Sequence, residues 1–523
     1  MREIYDGLYA PERRDDVLVE RLAADGSVAG TFTYGELAGW SGQIRRLLAD
    51  LGADAGATIG VVAGNGPEWV AADLALLLGG FVEVPVPLAF SGEQAASLLK
   101  EVRLCLADEA GVRKLAEWGL DGAVTVLPIT ADSGAGNRVA EADGLRLPPD
   151  ERIIKVIHTS GTTGAPKGVK IRSKALEALL VSLDSVSPDG VYSRYLSLVP
   201  FSLLIEQVTA VYLPIINGGR MILLPEKTAL LGTAGSRADD VVTWLRAGRP
   251  TTAVLPPAAV SALDKAVCGA AGGPVLGDEV RPFLMAGGAP VDVAAQLRLD
   301  AAGLRVHEGY GLSENSSVVS WNTPEHWRPG TVGRPLPHCE VRLSEGGELL
   351  VRSTSLFAGY TVEDPTSRPV DEDGWLHTGD RGEIDEDGYI RILGRLKNVI
   401  ITSHGRNVSP EWVEGSLRSC PSVVDAVVFG EGLEHVSALL ITADAADADR
   451  ADEIRRQAHA YAEQHLAETD RPERFFVVAD SSDFRRQYFT VTGRPRRQKL
   501  FDDLTALTPT NGRRDDRPDD RSL

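Results

Sequence analysis

Thr159-Ser160-Gly161-Thr162-Thr163-Gly164-Ala165-Pro166-Lys167-Gly168 follows the apolar run Ile153–Ile157, which only Lys155 interrupts, and precedes Val169 and Ile171. The apolar residues on either side read as two buried strands. Between them, three glycines and four hydroxyl side chains fill seven of ten positions, a composition that contributes nothing to a core. Such a segment turns backbone N–H groups and hydroxyls outward, the arrangement that wraps an anionic phosphate. Lys167 adds a point charge for the same purpose. The plain competing reading is a slack Gly/Thr linker. It fails because Pro166 stiffens the loop and because strand-like residues flank it on both sides. A Walker A loop is also excluded, since that motif needs Gly-Lys-Ser/Thr opening a helix and here Gly168 follows Lys167.

The order Ser-Gly-Thr-Thr-Gly-x-Pro-Lys-Gly resembles the phosphate loop of the adenylate-forming superfamily: acyl-CoA synthetases, peptide-synthetase adenylation domains and luciferases. The resemblance extends over roughly residues 30–505. It implies an α/β fold with a large N-terminal domain of mostly parallel sheets and helices plus a β-barrel-like part. A small, mobile α+β C-terminal domain should follow. The expected boundaries are 1–394 for the ATP- and acid-binding domain, 395–397 for a hinge, 398–505 for the small domain and 506–523 for a disordered tail. That tail from Asn511 on is Arg, Asp and Pro with almost no apolar residues, a composition that cannot offset the entropy of ordering.

The chain has 523 residues, 43% of them hydrophobic, long enough for two or more domains with sizeable cores. A net charge of −20 argues against nucleic-acid and anionic-membrane partners, either of which would want a clustered basic face. Cys105, Cys268, Cys339 and Cys420 are scattered without C-x-x-C spacing and read as buried small apolar residues in a reducing compartment. The nine histidines form no ligand-spaced pair. With no apolar signal segment after Met1 and no run of about 18 apolar residues, a cytoplasmic protein without an integral membrane segment is expected.

Residues 1–150 alternate helical and strand patterns. Thr33-Tyr34-Gly35-Glu36-Leu37 leads into a helix with Ile44, Leu47, Leu48 and Leu51 at helical spacing. Thr58–Ala63 reads as a strand, Trp69–Leu78 as a helix closed by Gly79-Gly80, and Phe81–Val86 as a further strand. This βαβ rhythm predicts a mostly parallel sheet. Leu196–Val199 and Arg220–Leu224 read as strands around a helix at Ile205–Ile216, with Thr252–Leu255 and Pro282–Met285 as two more. Beyond Gly394 lies a shorter unit with strands at Ser422–Phe429 and Val436–Ile441 and a helix at Ala451–Ala467.

Further motifs carry the resemblance. In Glu308-Gly309-Tyr310-Gly311-Leu312-Ser313-Glu314, the family motif implies that Tyr310 stacks on adenine, Ser313 contacts the α-phosphate and Glu314 holds Mg²⁺. Glu314 is a suitable hard-oxygen ligand. Ala286-Gly287-Gly288-Ala289-Pro290 resembles the segment whose backbone lies against adenine, where missing side chains permit close approach. Within Gly374-Trp375-Leu376-His377-Thr378-Gly379-Asp380 and the following residues to Lys397, the resemblance gives Asp380 to the ribose diol, Arg395 to ribose and phosphate, Ile392 to the nucleotide pocket and Lys397 to the hinge. Asp385-Glu386-Asp387-Gly388 reads as a plain hairpin turn. His404–Glu414 resembles the segment that lines the thiol acceptor's tunnel in relatives, although Val408, Val413 and Leu417 read equally well as core.

Two positions depart from the family pattern. The expected Pro-x-x-His reads Pro200-Phe201-Ser202-Leu203, so Leu203 stands where an imidazole would face the acid pocket, alongside Phe201 and Ala286. The C-terminal Gly-Lys-x-x-Arg-x-x-Leu reads Gly493-Arg494-Pro495-Arg496-Arg497-Gln498-Lys499-Leu500, placing Arg494 where the lysine of the adenylating state would lie. Arginine keeps the charge but not the shape. The implied activity is ATP- and Mg²⁺-dependent conversion of a carboxylic acid into its acyl-adenylate, with Lys167, Glu314 and Arg494 neutralising developing charge. Transfer would follow to coenzyme A, the first choice, or to a carrier protein acting in trans. Two alternatives stand beside it: adenylation of a small or inorganic acid such as nitrite with transfer to an amine, and a relative that binds nucleotide without turnover.

Overall fold

In the computed structural model, which describes residues 1–130, 145–159, 167–233, 235–269, 276, 281–362, 368–404, 406–420, 422–443, 445–489 and 495–507, the strands flanking the opening stretch are Ile153–Thr159 and Lys167–Arg172. They pair antiparallel with Thr159 opposite Lys167. Six strands make this sheet, in the order Thr125–Pro128, Leu104–Ala107, Thr58–Val62, Val82–Pro85, Ile153–Thr159, Lys167–Arg172. Every pair but the last is parallel, as the βαβ rhythm requires. Residues 160–166 lie outside the described residues, as do the side chains of Thr159 and Lys167.

A nine-stranded sheet is parallel at its centre, through Val17–Leu22, Arg220–Leu223, Arg194–Ser197, Thr252–Leu255, Phe283–Ala286 and Val306–Leu312. Antiparallel strands finish both edges. The first two strands do not join the βαβ sheet read over residues 1–150: Val17–Leu22 pairs with Arg220–Leu223 and with its own neighbour Val28–Thr33, while the six-stranded sheet begins at Thr58. Long-range polar contacts fix that crossing. Tyr34 donates to the Gly219 carbonyl at 2.7 Å, and Arg194 reaches Glu20 at 3.1 Å.

Thr33 caps the helix Tyr34–Asp50 in a reciprocal box with Glu36. Ile44 and Leu48 enter the core, whereas Leu47 and Leu51, read with them as one apolar face, are exposed. Pro67–Gly79 is buried on nearly every side because it lies between elements of both sheets: Trp69 packs on Phe201 with ring centroids 4.9 Å apart. On the same helix Asp73 meets Lys155, which also contacts Glu83. Tyr212 donates to Asp73 at 2.8 Å. Buried charge is costly unless paired; these four groups come from four separate segments, Lys155 and Tyr212 both meeting Asp73 Oδ1 while Asp73 Oδ2 and Glu83 Oε1 are buried without a hydrogen-bond partner among the described residues. The expected helix at Ile205–Ile216 is three pieces, Leu204–Glu206, a π-helical stretch Gln207–Tyr212, and Leu213–Asn217.

An antiparallel four-stranded sheet, Cys339–Leu343, Glu348–Ser353, Leu376–Ile384 and Ile390–Arg395, supplies the curved third part. Its Asp385–Gly388 connection is the hairpin turn expected, further tied down by Arg328, which binds Asp385 and Asp387. The C-terminal unit pairs Asp425–Phe429, Ser437–Thr442 and Arg474–Ala479, the last two parallel with helix Ala448–His465 between them. Val408, Val413 and Leu417 are fully buried in its core. Three cysteines are buried as expected, but Cys268 is exposed. It sits near the end of helix Pro257–Gly269, where the buried residues stop at Asp264.

Candidate nucleotide and metal site

Val306–Leu312 runs into the short turn Ser313–Asn315 and returns antiparallel as Ser317–Trp321. The return is so tight that a Cβ at Gly311 would stand 1.9 Å from the Ser317 carbonyl oxygen. Only glycine permits that approach. This turn presents Tyr310 and Glu314, with Ser313 half-buried between them.

Tyr310 donates to Asp380 Oδ2 at 2.6 Å. Asp380, 3% exposed, lies opposite Arg395 in register, and Arg395 Nε stands 2.8 Å from Oδ1. Arg395 also donates to the Thr378 carbonyl at 3.2 Å. Burial pushes the Asp380 carboxyl up, against the pull of Arg395 and Tyr310. Burial and the Asp380 charge hold the Tyr310 phenol well above its ordinary range, so it stays a donor. A carboxylate has about four acceptor positions; two are filled here, and a diol can use the rest. Ile392 is half-buried on the neighbouring strand.

Glu314 is held twice by one short segment. Phe357 N–H donates to its carbonyl at 2.9 Å, and Tyr360 O–H donates to Oε1 at 2.8 Å. The same segment lies along the strand that leaves the phosphate-loop candidate: Ala358 N–H bonds the Lys170 carbonyl at 2.7 Å, Lys170 N–H the Gly359 carbonyl at 3.0 Å, and Thr361 N–H the Gly168 carbonyl at 2.8 Å. A Cβ at Gly168 would come within 2.7 Å of both Thr361 and Val156 side chains, so the last glycine of the opening stretch is what lets this strap approach. Glu314 and the exit of that stretch are thus neighbours. Among the described residues no cluster of three or more His, Cys, Asp or Glu forms a metal cage. A lone carboxylate fits Mg²⁺, which keeps waters and takes substrate phosphate oxygens for its other ligands.

Ala286 is buried at the end of strand Phe283–Ala286, while Gly287 is half-buried and Gly288 and Ala289 are exposed. Glu308, read with the nucleotide pocket, has its carboxylate inside: it accepts from Val291 N–H at 3.2 Å and Gln296 Nε2 at 2.6 Å. It therefore braces the 286–291 turn rather than offering a free side chain, and burial pushes it up to about 8. Gly309 follows in the strand, half-buried. Of the acid-pocket residues, Phe201 is fully buried against Trp69 while Leu203 is 46% exposed. Two groups that composition does not signal set this segment. Asn65 accepts from Phe201 N–H at 2.8 Å and donates to the Val199 carbonyl at 2.8 Å. Glu206 accepts from Tyr195 at 2.8 Å and Ser197 at 2.6 Å, and burial pushes it up to about 8.

Lys397 lies in the turn Leu396–Asn398 directly after strand Ile390–Arg395. Ser160, Gly161, Thr162, Thr163, Gly164 and Arg494 lie outside the described residues. Their motif neighbours Arg497 and Leu500 are placed: Leu500 is buried, and Arg497 binds Glu414 at 2.9 Å and Glu411 at 3.4 Å, fastening the last helix to Pro410–Leu417. Tyr360 was not singled out in the sequence; its signal there is no more than an aromatic after a glycine.

Residues 12–361 match the family profile described as AMP-binding enzyme, and residues 397–476 that of the AMP-binding enzyme C-terminal domain. The chain belongs to the AMP-binding enzyme family and is an adenylate-forming enzyme. It is 30% identical over 492 residues to the long-chain-fatty-acid–CoA ligase FadD15 of Mycobacterium bovis, covering 82% of this chain and 80% of that one. The fold is that of the anthranilate CoA ligase AuaEII in complex with anthranoyl-AMP (TM-score 0.79, 20% identity, 97% and 98% of the two chains). It is equally that of the Bacillus subtilis o-succinylbenzoate coenzyme A synthetase MenE in complex with ATP and magnesium ion (TM-score 0.75, 21% identity, 95% and 99%).

Proposed function

We propose that this chain activates a carboxylic acid with ATP, forming the acyl-adenylate and pyrophosphate, and then transfers the acyl group to coenzyme A. The observation that carries the reading is the convergence of Tyr310, Asp380 and Arg395 on one rim, with Glu314 tied to the strand that leaves the Thr159–Gly168 stretch. The naming of FadD15 as a fatty-acid CoA ligase supports both the acid and the thiol.

In this reading the ionised acid attacks the α-phosphorus in line. It needs no general base, and rate comes from positioning and charge neutralisation. Asp380 and Arg395 hold the ribose. Tyr310 covers the base, with the 286–291 turn braced beneath by Glu308. Glu314 is the protein ligand of Mg²⁺, which when bound neutralises charge on the phosphates. Thr159, Ser160, Thr162, Thr163 and the glycines around them wrap the phosphates, with Lys167 and Arg494 adding positive charge. The small domain, hinged at 395–397, then turns to admit the thiol.

The test is acid-dependent exchange of pyrophosphate into ATP across fatty, aryl and amino acids and nitrite, followed by thioester formation with coenzyme A. Exchange with a carboxylic acid and a coenzyme A product are expected. Exchange with nitrite alone moves the assignment to the small-anion reading, and nucleotide binding without exchange for any acid overturns it.

A further inference from the structure

We infer that Tyr360 is a positioning residue for the metal-binding carboxylate: its hydroxyl holds Glu314 Oε1 so that Oε2 faces the cation. The inference rests on the reading of Glu314 as the Mg²⁺ ligand. A glutamate side chain has three rotatable bonds, and a carboxylate that must meet a cation already shared with phosphate oxygens loses metal affinity if it wanders. Here one of its oxygens is committed. The Tyr360 O–H lies 2.8 Å from Oε1, and among the described residues no hydrogen bond reaches Oε2.

The tyrosine is itself fixed from independent directions. Its backbone bridges Val169, and its ring meets Phe357 edge-on with centroids 4.9 Å apart. The residues around it are bonded to Gly168 and Lys170, and the Leu356 and Phe357 carbonyls accept from Arg172. The strap thus refers the position of a carboxylate on the nine-stranded sheet to the strand that leaves the phosphate-loop candidate on the other sheet. Loss of the hydroxyl should free the carboxylate without moving the strap.

The experiment compares Tyr360→Phe, Glu314→Gln and the double variant in the full-length protein. Mn²⁺ binding is read by electron paramagnetic resonance with a non-hydrolysable ATP analogue, and the Mg²⁺ concentration for half-maximal exchange is measured in parallel. Tyr360→Phe is expected to weaken Mn²⁺ binding about tenfold, the loss of one hydrogen bond to a charged group. It should raise the Mg²⁺ requirement alike and leave kcat at saturating Mg²⁺ and the melting temperature close to wild type. In the Glu314→Gln background the same change should add little, because the tyrosine acts on the metal only through that carboxylate. Unaltered Mn²⁺ affinity in Tyr360→Phe beside a weakened Glu314→Gln overturns the role of Tyr360 alone. Unaltered affinity in Glu314→Gln overturns the metal-ligand reading and this inference with it. A lower kcat or melting temperature in Tyr360→Phe without a change in metal affinity reduces the tyrosine to a structural part.

Discussion

Asp380→Asn removes one charge and one acceptor from the middle of the Tyr310–Asp380–Arg395 group while keeping the side chain's shape. Each hydrogen bond to the carboxylate carries about 1.5–3 kcal/mol when one partner is charged. The Arg395 contact deserves a discount, because its side chain is 41% exposed and the released guanidinium regains water. The Tyr310 contact at 2.6 Å has no such relief, although the amide oxygen of asparagine can still accept from the phenol. A stability loss of about 2 kcal/mol follows. If the remaining acceptor positions take a ribose diol, AMP affinity falls as well, by about 2–3 kcal/mol or 30- to 150-fold. Urea unfolding measures the first quantity and calorimetric titration with AMP the second. A variant less stable by about 2 kcal/mol whose AMP affinity stays within threefold of wild type would refute the ribose role and leave Asp380 a structural residue.

Other perturbations test other parts. Lys155→Met strands Asp73 and Glu83 without their cation and should cost about 3–5 kcal/mol in denaturant unfolding, much of it recovered when both carboxylates are also made apolar; a loss under about 1 kcal/mol contradicts paired burial. Glu308 is held up to about 8 by burial, against an ordinary 4.5, so the folded state keeps a proton that the unfolded chain releases. Its contribution is full below about 4.5 and is lost as pH rises toward about 8, and Glu308→Gln should flatten the stability–pH curve there by about 1.4 kcal/mol per unit. Lys397→Pro, which restricts the backbone at the proposed hinge, should spare adenylate formation and block transfer; equal loss of both half-reactions counts against a hinge at that position. Arg494→Ala should lower adenylation but not transfer from a preformed adenylate, and Arg494→Lys should be nearly neutral for a carboxylate substrate and damaging if the guanidinium fork clamps a small planar anion.

What could be read from the chain was local. The apolar runs at 153–157 and 169–171 became paired strands because nothing but a strand accommodates them beside a glycine-rich loop. Thr33 and Glu36 signalled their helix start through a box whose two halves lie three residues apart. What escaped depends on partners distant in sequence. Lys155 was visible only as an interruption of a strand, since Asp73 and Glu83 stand 82 and 72 residues away. Leu47 and Leu51 match the helical spacing of a buried face, yet the neighbouring elements cover only the side that holds Ile44 and Leu48. Tyr310, Glu314, Asp380 and Arg395 were found through motif resemblance, while Tyr360, Asn65 and Glu206 acquire meaning only once the segments they bridge are folded together.

The buried group of Lys155, Asp73, Glu83 and Tyr212 also constrains how this chain can be recombined with its relatives. A chimera designed to change the acid would exchange the segment after Pro200, which borders the proposed acid pocket. Here that segment carries Tyr212, whose hydroxyl donates to Asp73 Oδ1 on a helix contributed by a different part of the chain. A graft that brings an apolar residue to position 212 withdraws one donor from a carboxylate with no access to water. The exchangeable block is therefore not contiguous: positions 73, 83, 155 and 212 have to be inherited together, or replaced together by residues that leave no charge behind.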